Sequence, residues 1–163
     1  MTHCVGLFGT CGNSTWRDSV IESLEKHNVK FFNPQVDNWT PELAVVEANH
    51  LATDSVLVIA ITDETTAFAS LAEVGFAVAA AAKSPNSRAI IVYVAKEVNS
   101  NAADAAAVKD SNRARKLVLE HLKKCKLDNV LVVDSLNDLT TTAIAQYNRI
   151  NNSALHRMQF LTY

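Results

Sequence analysis

The feature that most constrains the fold is an uninterrupted apolar run at residues 55–61, SVLVIAI, which is rich in β-branched side chains. A half-exposed strand alternates apolar and polar residues, whereas a strand covered on both faces is apolar throughout. The run therefore predicts a central strand of a parallel sheet. Residues 62–82 follow with a long apolar stretch that ends in alanines, and they predict a crossover helix.

Four further apolar runs alternate with segments of helical periodicity, at residues 4–8, 29–32, 89–94 and 130–133. Strands that alternate with helices predict a parallel sheet with right-handed crossovers. We therefore expect one α/β domain over residues 1–163, with a flavodoxin-like (Rossmann-like) five-stranded parallel sheet and helices on both faces. A chain of 163 residues is long enough to bury one such core.

Helix starts are marked clearly in the first part of the chain only. Ser14 or Thr15 is a suitable N-cap for a first helix, and Thr40 is a suitable N-cap for a second. Residues 96–110 show no clear apolar face, so they are interpreted as a loop with a loosely defined helix start. Helical spacing becomes clear over residues 115–126.

The second helix is predicted to begin at Pro41, a residue that suits the first helical position. Leu43, Val46 and Leu51 form its apolar stripe. Such a stripe is the core-facing side of a typical amphipathic helix.

Composition and charge exclude several classes of protein. Apolar residues make up 48% of the chain and charged residues 20%, values typical of folded proteins. The net charge of −2 provides no long-range attraction for nucleic acid or acidic membranes, so neither is expected as a partner. No signal peptide or membrane-spanning run is recognisable, and we expect a cytoplasmic protein.

The three cysteines, Cys4, Cys11 and Cys125, are interpreted as reduced thiols. Their number is odd, and their spacing does not match a metal-binding motif. From the sequence we therefore expect no metal site.

Glu73 is a carboxylate in otherwise apolar surroundings. At helical spacing its neighbours are Ala69, Ser70, Phe76 and Ala77, where a solvated helix face would carry further charges. The segment follows the central strand, and open α/β sheets bind ligands at the carboxyl ends of their strands. An isolated carboxylate at this place indicates a functional group. The alternative is a single carboxylate at the helix edge that reaches water.

The loop at residues 9–15, GTCGNST, follows the first strand and carries small and polar side chains. Such a loop leaves backbone N–H groups of the next helix free for an anion or a sugar, and Arg17 lies in the first turn of that helix. The loop matches neither a P-loop nor a GxGxxG motif. Gly9 and Gly12 fit a simple tight turn equally well, and Arg17 equally fits a surface ion pair.

The loop after the second strand carries Asp37 and Trp39. In a parallel sheet this loop opens on the same edge as the first loop and the segment before Glu73, so Asn13, Asp37 and Glu73 are expected near one pocket. As alternatives, Asp37 forms a turn with its own backbone and Trp39 fills the core.

Three stretches resemble the nucleoside 2-deoxyribosyltransferase-like family: GTCGNSTWRD at 9–18, FNPQVDNWTPE at 32–42 and SLAEVGFA at 70–77. Their order and spacing also resemble the family pattern. In that family the Glu of a small-x-x-Glu-x-Gly-x-Ala segment attacks the anomeric carbon of the sugar. The resemblance implies this role for Glu73.

The same resemblance implies roles for the other candidate residues. Asp37 would handle the nucleobase or its departure. Independently of the resemblance, Ser70 lies one turn before Glu73 and is an available hydrogen-bond donor that would help to keep its carboxylate ionised. The remaining substrate-binding candidates are Gly9, Cys11, Gly12, Asn13, Arg17 and Trp39.

One position departs from the family pattern. Typical members carry an Asp six residues before the nucleophile, where this chain has Ala67. Asp63 in the preceding loop is then the alternative acid for the leaving base. The departure leaves base transfer and hydrolysis both open. It also supports a second hypothesis, a catalytically idle nucleotide-binding or sensor module with the same pocket.

Cleavage of an N-glycosidic bond needs a carboxylate at the sugar carbon and an acid near the leaving group. Expected partners are a 2′-deoxynucleoside or its monophosphate and a free nucleobase, and the chemistry requires no metal or organic cofactor. Members of the family form oligomers with shared pockets, and the alanines at 77–82 permit close helix packing. We therefore expect a homo-oligomer.

Overall fold

The computed structural model of the protein describes residues 2–38, 40–83, 88–99 and 104–159. Five strands form one sheet, in which every paired strand is parallel to its neighbour: β1 (Thr2–Gly9), β2 (Phe31–Phe32), β3 (Asp54–Ile61), β4 (Ala89–Val94) and β5 (Val130–Val133). Their order across the sheet is β2-β1-β3-β4-β5. This is the flavodoxin-like order, and the predicted fold class is confirmed.

Five helices cover the two faces of the sheet. α1 (Trp16–Lys26) and α5 (Leu136–Gln159) share one apolar core with one face, and α3 (Phe68–Ala82) and α4 (Ala105–Lys124) share the other core. α2 (Pro41–Thr53) joins the second group through Leu51. Within the described ranges, no helix combines the length and the apolar character needed to cross a bilayer.

The central strand β3 is buried along its whole length, as its continuous apolar sequence predicts. It pairs with β1 on one side and with β4 on the other. Where β1 ends, a Cβ atom on Gly9 would lie 2.1 Å from the carbonyl oxygen of Ala60, and Gly9 has a φ of 125°. Only glycine fits here, so Gly9 fixes how closely the first loop approaches β3.

The fourth helix was predicted to be clear only from residue 115, whereas α4 begins at Ala105. Asp104 caps it, because its carboxylate accepts a hydrogen bond from the backbone N–H of Ala107 at 3.2 Å. The first half of α4 shows no apolar pattern in the sequence, because the residues that it buries are the polar Ser111 and, one turn later, Arg115.

Two cap predictions are wrong in their detail. Thr15 precedes α1 and Thr40 precedes α2, but neither side chain accepts a capping hydrogen bond. The hydroxyl of Ser14 donates instead to Glu64 at 2.9 Å, which links the first loop to the loop after β3.

The predicted apolar stripe of α2 is only partly buried. No side chain of α2 is fully buried, and Val46 is 41% exposed. The helix is held mainly at its C-terminal end, where the ring of His50 stacks on Phe32 with a centroid distance of 3.7 Å. Leu51 packs against the core beside it.

Candidate active site

The loops after β1, β2 and β3 meet at the carboxyl edge of the sheet and enclose a cavity of about 450 Å³. The first loop and the loop after β2 supply one wall, while α2 and the start of α3 supply the other. The lining residues are Phe8, Gly9, Thr10, Cys11, Arg17, Pro34, Glu47, Thr65, Ala67, Phe68, Ala69, Ser70 and Glu73.

A second hollow of about 380 Å³ adjoins this cavity and shares Cys11, Pro34 and Glu47 with it. It is lined otherwise by Gly12, Asn13, Gln35, Val36 and Asp37. The two hollows together offer space for a ligand with two parts, such as a sugar and a planar ring.

Glu73 lies on α3 and lines the larger cavity. Burial and the nearby carboxylate of Glu47 raise the pKa of Glu73, and the positive charge of Arg17 partly offsets this. Within the part of the chain that the structure describes, no hydrogen bond holds the Glu73 carboxylate, so the bond expected from Ser70 is not formed. Ser70 is nevertheless buried and lines the same cavity.

Glu47 is a functional candidate that the sequence analysis missed. It projects from α2 into the region shared by both hollows, close enough to Glu73 to raise its pKa. One signal was present in the sequence, because Glu47 lies four residues from both Leu43 and Leu51 and so interrupts an apolar stripe. Glu73 is likewise a carboxylate among apolar residues at helical spacing, and the carboxylates of Glu47 and Glu73 line one cavity.

Arg17 is almost fully buried and braces the first loop. It is also the positive charge close to both Glu73 and Glu47. Each of its five N–H groups has a protein acceptor. Nε donates to Leu7 O at 3.1 Å, Nη1 to Thr10 O at 2.6 Å and Gln35 Oε1 at 3.0 Å, and Nη2 to Gly9 O at 3.4 Å and Cys11 Sγ at 3.6 Å.

Gln35, another residue that the sequence analysis missed, ties the first two loops together. Its side-chain oxygen accepts from Arg17, and its Nε2 donates to the carbonyl oxygen of Gly12 at 2.9 Å. Gly12 has a φ of 77°, so the turn that presents this carbonyl favours glycine. These contacts fix the distance between the two hollows.

The loop between β3 and α3 is held from α4. Arg115, fully buried, donates to the carbonyl oxygens of Thr65 at 2.7 Å and Ala95 at 3.0 Å. Ser111 donates to the carbonyl oxygen of Thr66 at 2.7 Å. This bracing positions the start of α3, and with it Glu73.

Glu64 belongs to the same loop and fastens it to the first loop. Burial opposes its ionisation, but hydrogen bonds from Thr62 and Ser14 and the charge of Arg115 lower its pKa. Glu64 is therefore a charged structural group and does not line the cavity.

Ala67, the position at which the resemblance leads us to expect an Asp, lines the cavity directly before α3. Its φ of 49° and ψ of 35° lie in the left-handed region. A non-glycine residue pays a conformational cost there, and Asp and Asn tolerate the region better than Ala.

The structure separates the other predicted acids. Asp37 is exposed and lines the second hollow, together with Asn13. Asp63 lines neither hollow, and its charge lies close to Arg115. Trp39 lies outside the described residues. Of the predicted acids, only Asp37 is therefore near the pair formed by Glu73 and Glu47.

A larger depression of about 650 Å³ lies elsewhere, but every residue that lines it belongs to α4. It is the surface of a single helix, and it contains no pair of carboxylates.

The fold and this site define an α/β protein with a small-molecule cavity at the switch point of its sheet, where two carboxylates converge. The chain belongs to the nucleoside 2-deoxyribosyltransferase-like family, whose model matches residues 3–92. That match covers more than half of the 163 residues and contains both Glu47 and Glu73. No curated protein shows significant sequence similarity to the chain.

Two solved structures support the fold. A conserved protein from Enterococcus faecalis V583 is similar with a TM-score of 0.53 at 15% identity, over 88% of this chain and 97% of that one. The RPS4 and RRS1 TIR domain heterodimer is similar with a TM-score of 0.50 at 10% identity, over 90% of this chain and 97% of that one. At such identities the likeness concerns architecture alone.

Proposed function

We propose that the protein is an enzyme that cleaves or exchanges the N-glycosidic bond of a 2′-deoxynucleoside or its 5′-monophosphate. The observation that carries this proposal is the convergence of Glu73 and Glu47 on one cavity in a member of this family. Glycosidic chemistry uses two carboxylates with different protonation states. Two carboxylates that share a cavity resist simultaneous ionisation, so in the proposed mechanism Arg17 must hold the single charge on Glu73 while Glu47 carries the proton, against the burial that raises the pKa of Glu73.

In the proposed mechanism a carboxylate oxygen of Glu73 attacks the anomeric carbon of the deoxyribose. A C–O bond forms while the C–N bond to the base breaks, and the electron pair of that bond leaves with the base nitrogen. A proton from Glu47, or from Asp37 in the second hollow, neutralises the leaving base. Arg17 stabilises the ionised form of Glu73 before the attack.

The glycosyl-enzyme is then released by an incoming nucleophile. A second nucleobase gives transfer to a new base, and water gives hydrolysis. In either case the C–O bond to Glu73 breaks, and the acid that protonated the first base takes a proton from the nucleophile.

The test is incubation with each common nucleoside, deoxynucleoside and monophosphate, with and without a second free base, followed by chromatography. Glu73→Gln is expected to abolish base release. Glu25→Gln, on the exposed face of α1, is the matched control and is expected to keep full activity. A sugar adduct on the peptide that carries Glu73, detected by mass spectrometry of quenched reactions, would support the covalent step. Base release that survives Glu73→Gln would contradict it.

The second candidate function is a nucleotide-binding or sensor module without turnover. Two observations favour it: Ala67 replaces an acid, and no hydrogen bond within the described residues keeps Glu73 ionised. Tight binding of a nucleoside or nucleotide, measured by calorimetry and without release of base, would favour this module over the enzyme.

A phosphate contact of Arg17 stays a prediction, because in this structure its donors face protein acceptors. If Arg17 turns toward a 5′-phosphate, monophosphates will bind better than nucleosides, and Arg17→Ala will erase the difference. A charge-assisted contact of this kind contributes about 1.5–3 kcal/mol. Competition binding measures the two affinities, and equal affinities in the wild-type protein would remove the phosphate from the proposal.

A further inference from the structure

A cluster of three potential metal ligands lies at the amino edge of the sheet, on the side opposite to the candidate active site. It consists of Cys4 on β1, His50 in the last turn of α2 and Asp54 at the start of β3. The sulfur, a ring nitrogen and a carboxylate oxygen all lie within 4.8 Å of one another. We propose that these three side chains bind one divalent transition-metal ion of the zinc class and thereby attach α2 to the sheet.

The Asp54 side chain gives the first reason. It is fully buried, and among the described residues its hydrogen-bond partner is Nδ1 of His50, 3.0 Å from each carboxylate oxygen. A carboxylate accepts up to about four hydrogen bonds, and burying it with one partner is costly. A metal ion at the point of convergence would compensate this charge more completely than a protonated imidazole.

Arg88 is a fixed cation whose charge acts on Asp54, but it does not contact the carboxylate directly. Its charge acts on Asp54 from a distance, while its Nη1 and Nη2 donate to the carbonyl oxygens of Ala52 and Leu51. These contacts cap the C-terminal end of α2, and they leave the carboxylate free to face Cys4 and His50.

The donor set gives the second reason, because it selects the class of ion. A sulfur, an imidazole nitrogen and a carboxylate oxygen suit Zn²⁺ and its neighbours, whereas Ca²⁺ and Mg²⁺ prefer oxygen donors alone. Bonds of about 2.0–2.3 Å in a tetrahedral site would hold the donor atoms roughly 3.3–3.7 Å apart. The donor atoms lie within 4.8 Å of one another, so binding would draw the most distant pair together by roughly 1 Å.

The surrounding residues prepare the site. A Cβ atom on Gly6 would lie 2.8 Å from Oδ2 of Asp54, so glycine leaves room for the carboxylate. The ring of Phe32 stacks on His50 with an interplanar angle of 2°, which fixes the orientation of the imidazole. The His50 side chain is 27% exposed, so a water molecule can reach the fourth coordination position from that side.

The ion would act on structure and not on catalysis. The eight residues of β3 place Asp54 and the loop toward Glu73 at opposite ends of the strand, roughly 23 Å apart at about 3.3 Å per residue. No side chain of α2 is fully buried, so a metal bond in its last turn would strengthen the attachment that His50 and Leu51 make there. Binding exchanges the thiol proton of Cys4 for the metal, without any change of oxidation state.

The test is a Co²⁺ titration of protein that has been treated with a chelator and desalted under reducing conditions. We expect one Co²⁺ per chain, with a thiolate-to-metal charge-transfer band in the near ultraviolet. Zn²⁺ should displace it and raise the midpoint of thermal unfolding by several degrees. Cys4→Ser and His50→Gln should each lose the band and the thermal shift.

A matched control comes from α4, where His121 lies four residues before Cys125 and forms an alternative Cys-His pair. Cys125→Ser should keep the Co²⁺ band. His50→Gln provides the test if Cys4→Ser does not fold, because His50 is the partly exposed ligand. Absence of a band in the wild-type protein, or loss of the band in Cys125→Ser instead of His50→Gln, would overturn the proposal.

Discussion

The carboxyl group of Glu73 is stabilised in its neutral form, because burial and the charge of Glu47 raise its pKa. A raised folded-state pKa stabilises the fold fully below the unfolded value of about 4.3, and that contribution is lost as the pH rises through the folded-state pKa. At neutral pH an ionised Glu73 therefore lowers the free energy of unfolding. The proposed mechanism needs this ionised form, so the loss of stability is linked to the proposed reactivity.

For Glu73→Gln we predict opposite effects on stability and turnover. Turnover should fall at least about 1,000-fold, as expected when a covalent nucleophile is removed. The free energy of unfolding at pH 7 should rise, because Gln carries no buried charge. The stability gain should shrink as the pH falls toward 4, and urea unfolding at several pH values measures it. A variant that is less stable than wild type at pH 7 would contradict the assignment of the pKa shift.

For Glu47→Gln we predict a change in the pH profile. Removal of the neighbouring charge lowers the pKa of Glu73, so the acidic limb of kcat/KM should move to lower pH. If Glu47 also protonates the leaving base, kcat should fall by about 100-fold or more for poor leaving groups. Glu42→Gln, at the exposed start of α2, is the control, and its profile should match wild type.

At the scale of elements, the start of α3 carries backbone strain at the candidate site. Ala67 adopts a left-handed conformation that costs an L-residue about 1–2 kcal/mol. Ala67→Gly removes most of this cost but adds chain entropy, so we expect stability to rise by about 0.5–1 kcal/mol. Ala72→Gly, at an exposed position inside the same helix, should instead lower stability by about 1 kcal/mol. Chemical denaturation compares the two variants, and a loss in both would remove the argument for strain.

A sequence pattern predicts the bounds of a strand or helix well when its buried positions are apolar and its exposed positions are polar. Residues 89–94 and 130–133 were predicted as strands with the bounds that the structure has, because turn residues flank both apolar runs. The strand predicted at 29–32 is reduced to Phe31–Phe32. α4 was placed too late because it buries Arg115 and Ser111, whose polarity hides the inward face.

The residues of the candidate site, like the strands and helices, were only partly predictable from the sequence. Glu73 and the first loop follow strand ends, so the topology alone brings them to one edge. Glu47 and Gln35 enter the site through tertiary packing, and the one sequence signal is that Glu47 interrupts the apolar stripe of α2.

At the scale of the whole molecule, large apolar side chains remain exposed on neighbouring helices. Val45 and Val46 on α2 are 63% and 41% exposed, and Phe68 and Phe76 on α3 are 49% and 54% exposed. The alanine run gives weaker support for assembly than the sequence suggested, because Ala77 and Ala81 are buried in the chain's own core. We therefore propose that a second copy of the chain covers the face formed by α2 and α3.

Light scattering at concentrations where the protein is active should give a mass of at least two chains. Phe76→Glu should convert the protein to a monomer, because a buried, unpaired carboxylate opposes association. Phe76→Leu is the matched control and should remain assembled. A monomeric mass for the fully active wild-type protein would refute this proposal.

The absence of any fully buried side chain on α2 also has a consequence for the kinetics of local opening. An element held by few buried contacts opens at a small fraction of the global unfolding free energy, so its amide protons should exchange faster than those of β3. Glu47 moves with α2, and only molecules with α2 docked hold both carboxylates. The apparent dissociation constant of a ligand that contacts Glu47 is then the intrinsic constant divided by the docked fraction. Saturating ligand should slow exchange in α2, and it should also slow those amides of β3 that exchange through global unfolding, because both openings release the ligand.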